Sequence, residues 1–216
     1  MVLPIVLIIA AYLLGSIAFG WVMVKILVRV DLRKVGSHAT GGTNAFREIK
    51  QHMSTQKAFL WALVAGVLDI LKAFIPTRLA IWKWPNAHWL HLLVGGAAIA
   101  GHTFPFWLKS KGGKAVSPSA GVLFALASKV PALWRVFGLA ISVFIAGIIG
   151  SKGIVSVGSM SGSIAAAAYS TKLTRQGKIP KPYGWGLVLA VLYILIMHRE
   201  NVGRLLRGKE KSILSR

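Results

Sequence analysis

The chain has no cysteine, which excludes disulfides and thiolate chemistry and leaves the redox compartment unmarked. Acidic residues are almost as scarce. Five Asp+Glu stand against 26 Lys+Arg, giving a formal net charge of +21 over 216 residues. No carboxylate pair suggests acid/base hydrolysis, and no metal-ligand spacing emerges: His88 and His91 lack a supporting carboxylate and read as interfacial residues. The nucleophile-elbow pattern GxSxG is missing around Ser37. So is the ATP-binding pattern GxxxxGK[ST]. No internal repeat is evident. Charged residues make up only 14% of the chain, against about 25% in a soluble domain.

What fills the space is apolar. The chain is 55% hydrophobic, with a mean hydropathy of +0.65, and several runs approach the ~20 residues that cross a bilayer. These runs do not alternate as barrel strands do, and a helix pairs its own backbone groups where water is absent. The expected fold is therefore all-α: a polytopic membrane protein, one domain over residues 1–216, with about seven transmembrane helices. The runs cover roughly 3–28, 58–82, 88–108, 116–130, 133–150, 154–170 and 183–197. The fourth and fifth, interrupted by Lys129, Pro131 and Arg135, read as one broken helix or two short ones. The first has no basic segment before it and outlasts a signal-peptide core, so it reads as a retained helix. Trp82, Trp84 and Trp89 read as an aromatic belt.

The positive charge suits nucleic acid or anionic headgroups, and in a membrane chain the lipid reading is favoured, with no nucleic-acid partner. Loop charges set the orientation. Basic residues collect in 29–57, in 109–114 and in the tail from Arg199 to Arg216. Seven spans put all three on the cytoplasmic side, with the N-terminus outside and the C-terminus cytoplasmic. The basic loop KLTRQGKIPK, Lys172 to Lys181, falls on the outer side and fits this poorly.

Three polar segments thus share one expected membrane face. In VGSHATGGTNAFR, Val35 to Arg47, glycines free the backbone, Ser37, Thr43 and Asn44 are short polar groups, and Arg47 offers a planar fork matched to phosphate oxygens. An ordinary polar loop with Thr43 or Asn44 capping a helix remains open. In GHTFPFWLKSKGGKAV, Gly101 to Val116, Lys111 and Lys114 flank Gly112 and Gly113, whose peptide N–H groups suit an anion-binding turn. A cluster serving only topology, with His102 packed at a helix end, is the alternative. In HRENVGRLLRGKE, His198 to Glu210, His198 and Asn201 share a helix face. There an imidazole can move a proton and an amide can donate to an oxyanion; a plain basic helix after the last span is the alternative. Asp31 and Asp69 are the candidate buried acids, and Asp69 with Lys72 reads as a structural ion pair within a span.

Together the segments resemble the acyl-phosphate:glycerol-3-phosphate acyltransferase family of the bacterial inner membrane. The family pattern VGSGNxGATNxxR is met by Val35-Gly36-Ser37, Gly41, Thr43-Asn44 and Arg47. GHxxPxF with KGGKGVAT is met by Gly101-His102, Pro105, Lys111-Gly112-Gly113-Lys114 and Val116. HRxNIxRLxxGxE is met by His198-Arg199, Asn201, Arg204-Leu205, Gly208 and Glu210. The resemblance implies a multi-pass inner-membrane enzyme with no metal and no covalent acyl-enzyme; the chain is expected to act as a monomer without a cofactor. It implies transfer of a fatty acyl group from acyl phosphate to the 1-hydroxyl of glycerol 3-phosphate, giving lysophosphatidic acid and phosphate among membrane lipids. By the same resemblance Ser37, Arg47, Lys111, His198 and Asn201 are the catalytic set. Thr43, Asn44, His102, Gly112, Gly113, Lys114 and Ser156 are the phosphate-binding set. The chain departs from the family pattern at His38, Ala39, Ala115 and Pro118. A methyl at Ala115 bears on a turn expected to need positive φ, and Pro118 removes an N–H. A weakly active or inactive homologue that binds phosphate or anionic headgroups is the alternative reading.

Overall fold

The protein is seen in a computed structural model that describes residues 2–214, so the basic tail residue Arg216 lies outside the described residues. Among these, every regular element is a helix and none is a strand. The chain divides into two compact units, Met1–Val122 and Leu123–Arg216. The division falls inside a helix, where composition gives no sign of a boundary.

The first unit holds α1 (Val2–Gly15), α2 (Phe19–Val28), α3 (Gly42–Lys50), α4 (Thr55–Lys83), α5 (His88–Thr103) and the start of α6 (Val116–Ala127). The first apolar run is thus two helices, not one. At the break, Ala18 leaves helical geometry with ψ 83°, and the Ser16 hydroxyl donates back to the Tyr12 carbonyl at 2.8 Å. Ile17's carbonyl instead accepts from the Lys72 ammonium at 2.5 Å. A carbonyl released in an apolar setting needs such a partner. Helix α1 lies tight on α5. A side chain at Gly15 would strike the Ala98 backbone, and one at Gly101 the backbone of Tyr12 and Ser16; small residues permit this approach. The short α3 is polar on one side and anchored on the other. Ala45 and Ile49 join Val24, Leu32 and Ala58 in a fully buried cluster. That leaves Thr43 and Arg47, four apart, on its half-exposed face.

The second unit holds α7 (Ala132–Gly150), α8 (Val155–Arg175), α9 (Lys181–Met197) and α10 (Arg199–Leu206). The fourth and fifth runs resolve as separate helices, α6 and α7, with Pro131 at the N-cap of α7. Helices α7 and α8 meet through glycine: a side chain at Gly158 or Gly162 would meet the backbone of Phe144 or Ala140. The basic loop before α9 is shorter than the sequence suggests. Lys172 and Arg175 belong to the last turn of α8, where cations complement the helix dipole. Gly177, at φ 69°, then closes that helix. Its N–H donates to Thr174 at 3.0 Å and that of Lys178 to Leu173 at 2.9 Å, the paired bonds of a Schellman end.

By length and composition, three stretches among the described residues can cross a membrane: Val2–Val28, Thr55–Lys83 and Ala132–Gly150. Helices α9 and α10, bent by 53°, qualify as a fourth if taken together. Phe59, Leu63, Val67, Leu71 and Ile75 are exposed along α4, an apolar face suited to acyl chains rather than water.

Candidate functional site

The first polar segment is a loop closed by one side chain. Asn44, buried in α3, donates its amide N–H groups to the carbonyls of Ala39 at 3.0 Å and Val35 at 3.2 Å, and reaches Leu32 at 3.4 Å. Its oxygen accepts from the Ser37 N–H at 3.2 Å. Gly36 lies at φ 60° against that same amide, where a side chain would collide with it. Asn44 therefore shapes the loop that presents Ser37. The expected helix does follow, but its N-cap is Gly41 with no side-chain cap, so neither Thr43 nor Asn44 caps it. Asp31 pins the loop's entrance. It accepts from the Arg33 guanidinium at 2.6 Å and the Trp21 indole N–H at 2.9 Å. The Arg33 bond, helped by Trp21 and opposed by burial, holds the Asp31 carboxyl far below the usual carboxylate range.

The second segment docks on the first. Thr40 N–H donates to the Gly112 carbonyl at 3.2 Å, and Gly113 N–H donates to the His102 carbonyl at 3.0 Å. Both glycines are required by close approach. A side chain at Gly112 would run into the carbonyls of His102 and Thr103, and one at Gly113 into the His102 imidazole. Lys111 is exposed and Lys114 half-buried on either side of them. His102 itself is 4% exposed. Its Nδ1 lies 3.6 Å from Asp69 Oδ1, which pairs with Lys72 Nζ at 2.7 Å. The structure thus joins Ser37, Thr43, Asn44, Arg47, Gly112, Gly113 and Lys114 in one unit, with His102 as the wall behind the loop.

The departures from the family pattern acquire a physical meaning here. Ala115 adopts φ 67° and His38 φ 58°. The left-handed turn at Ala115 is therefore made despite the methyl, which is fully buried. A left-handed L-residue costs roughly 1–2 kcal/mol, and histidine is among the residue types that tolerate it better. Replacing Ala115 with Gly is expected to stabilise the protein by about 1 kcal/mol. Thermal unfolding in detergent would show it as a raised Tm; an unchanged or lowered Tm would contradict strain at this turn. Pro118 falls in the first turn of α6, where its N–H would have no partner within the helix.

In the second unit the third segment closes on itself. His198 ends α9, and its Nδ1 lies 2.8 Å from the Ile194 carbonyl. A carbonyl only accepts, so Nδ1 carries the proton. Asn201 and Arg204 follow on α10. Gly208, at φ 64°, then reverses the chain, with Lys209 N–H donating to Arg204 at 2.8 Å. That reversal brings Glu210 back onto α10. Its carboxylate accepts from Asn201 at 2.6 Å, Arg204 at 2.6 Å and the Ser156 hydroxyl at 2.9 Å. Burial raises the Glu210 pKa, but the bonds from Arg204, Asn201 and Ser156 outweigh it and keep the carboxyl below its ordinary value. Glu210 and Arg204 stand in the third motif, yet sequence reasoning gave them no role. The usable signal was a lone carboxylate just past a helix-ending glycine in a basic tail. Among the described residues, no group of three or more His, Asp or Glu is placed to hold a metal ion.

Helices that can cross a bilayer, with glycine-rich turns flanked by cations at their ends, define an integral membrane protein equipped for small anionic ligands. Comparison with known proteins narrows the class. The family model described as Glycerol-3-phosphate acyltransferase matches residues 5–208, and the chain belongs to that family. A glycerol-3-phosphate acyltransferase of Anaeromyxobacter sp. (strain Fw109-5) is 36% identical over 213 residues, 97% of this chain and 96% of the relative. The crystal structure of PlsY (YgiH), an integral membrane glycerol 3-phosphate acyltransferase, in its glycerol 3-phosphate form, is 32% identical with a TM-score of 0.82. That match covers 97% of this chain and 95% of the other. Its lysophosphatidic acid form gives a TM-score of 0.77 at 30% identity, covering 97% and 94%.

Proposed function

We propose that this chain transfers a fatty acyl group from acyl phosphate to the 1-hydroxyl of glycerol 3-phosphate. The hydroxyl oxygen attacks the acyl carbonyl carbon and forms the ester, while the carbon–oxygen bond to the donor phosphate breaks. The hydroxyl proton passes to the acceptor's own phosphate, so no protein carboxylate is needed as base. Lysophosphatidic acid and phosphate leave. The observation that carries this reading is the docking of the Ser37–Arg47 and Lys111–Lys114 segments through Thr40 and Gly112. It gathers cations and glycine turns, the groups that suppress repulsion between two phosphates; holding the reactants together then supplies much of the rate. The family match and the glycerol 3-phosphate and lysophosphatidic acid forms of the related structure support the acceptor and the product of this reading.

In this reading Ser37, Arg47 and Lys111 act directly on the substrates. Thr43, Gly112, Gly113, Lys114 and Ser156 hold phosphate oxygens, and His198 and Asn201 serve the acyl carbonyl. Asn44 and His102 act by shaping the loops that do so. The chain works as a monomer and a single domain in a bacterial inner membrane, without cofactor. Its seven spans are α1 with α2, then α4, α5, α6, α7, α8 and α9, which put the N-terminus outside and the C-terminus in the cytoplasm. The donor is the point to test. Purified protein is given labelled glycerol 3-phosphate with either palmitoyl phosphate or palmitoyl thioester, and labelled lysophosphatidic acid is measured. The expected product forms with the phosphate donor alone; formation from the thioester at equal rate would overturn the assignment.

A further inference from the structure

Asp69 is a carboxylate placed where carboxylates are costly. It lies inside α4, 1% exposed, with Lys72 at 2%. Neutralising that lysine is one explanation for it, because Lys72 is tied to the helix break through the Ile17 carbonyl. This leaves a second contact unexplained: Asp69 Oδ1 also faces His102 Nδ1 at 3.6 Å. The opposite edge of the same ring lies against Gly113, so closely that no side chain fits there. His102 grips the loop twice, since its carbonyl also takes the Gly113 N–H at 3.0 Å. An imidazole is free to swing about its last torsion, which is broad and roughly two-fold. At 3.6 Å the two atoms are beyond hydrogen-bond length, so the carboxylate limits the swing of the ring by close contact and charge rather than by a bond.

We propose that Asp69 is a positioning residue for the anion loop: it locks the His102 imidazole as the rigid surface on which Gly112 and Gly113 are laid. At 1% exposure the residue is enclosed by protein and out of a substrate's reach. Its influence reaches the first segment as well, because the Gly112 carbonyl holds Thr40. A slack imidazole would let both loops drift, and a misplacement of about 1 Å can cost about 100-fold. The kinetic part of this proposal rests on the functional reading above; the loop geometry does not.

The test is a cycle of Asp69→Asn, His102→Gln and the double variant in purified protein. Asp69→Asn is expected to raise KM for a phosphate substrate by about tenfold or more, with a smaller change in kcat. The same substitution made on top of His102→Gln is expected to add little. Hydrogen exchange of the peptide spanning 109–116 should quicken in Asp69→Asn, whether or not turnover is assayed. If Asp69→Asn does not fold, adding Lys72→Met removes both charges together and takes its place. A KM effect that persists undiminished in the His102→Gln background would overturn the proposal. So would a lowered Tm with loop exchange and the kinetics of the folded protein unchanged. Absence of transfer by the unaltered protein would instead refute the functional reading, and the exchange measurement would still decide the role of Asp69.

Discussion

Replacing Gly113 with alanine lowers acyl transfer by about 100-fold while the protein remains folded. The added carbon would overlap the His102 ring at Nε2, Cε1 and Cδ2. That ring cannot retreat easily: it is buried and faces Asp69 on its far side. The loop must move instead, stretching the Gly113–His102 and Thr40–Gly112 bonds. Overpacking of this kind costs about 1–3 kcal/mol, less than a domain's stability, so the damage falls on geometry more than on folding. Gly138 is the matched control. It lies inside α7, and a methyl added there would meet nothing within 4 Å, so Gly138→Ala should leave transfer unchanged. Equal effects at the two positions would show that glycine in general, rather than the fit against His102, is what matters.

Glu210→Gln removes about 2 kcal/mol of stability and most of the activity. The side chain is 5% exposed and takes bonds from Arg204, Asn201 and Ser156. A glutamine keeps a single acceptor oxygen and leaves the guanidinium only its longer contact with the exposed Glu200, at 3.8 Å. Asn201 then loses its bond to the Glu210 carboxylate. The pH dependence carries a definite sign. Glu210 has a lower pKa folded than its ordinary value of 4.5. Its contribution is therefore complete above that value and is lost as pH falls through the lowered folded pKa. Melting curves of both proteins from neutral to acid pH should show a wide gap that narrows in acid. Parallel curves would contradict the role of this carboxylate.

The helical class was legible because apolar length reports directly on the bilayer; of the expected runs, three are long and apolar enough to cross it among the described residues, and α9 with α10 makes a fourth. The break at Ser16 to Ala18 was not legible. Ser16 is the one polar residue there and bonds back within its own helix; only the distant Lys72, by supplying a donor to Ile17, makes the break tolerable. Helix α3 was half legible. Its polar composition reads as a loop, and it is helical because Ala45 and Ile49 find Val24, Leu32 and Ala58. Among site residues, the glycines were the most readable, since Gly36, Gly112 and Gly113 each answer to a collision the fold imposes. Asn44, expected on phosphate, bonds the backbone of its own loop, a pattern its two donors and one acceptor allow but its residue type alone does not announce. Glu210 and Asp69 were visible as rare acids, but what each touches lies far away in sequence and follows from packing alone.

One measurement on the purified protein tests the proposed transfer most directly: phosphate release from palmitoyl phosphate, with and without glycerol 3-phosphate. Release that depends on the acceptor, matched mole for mole by lysophosphatidic acid, is the predicted result. Release at the same rate in both cases, or none in either, would contradict it.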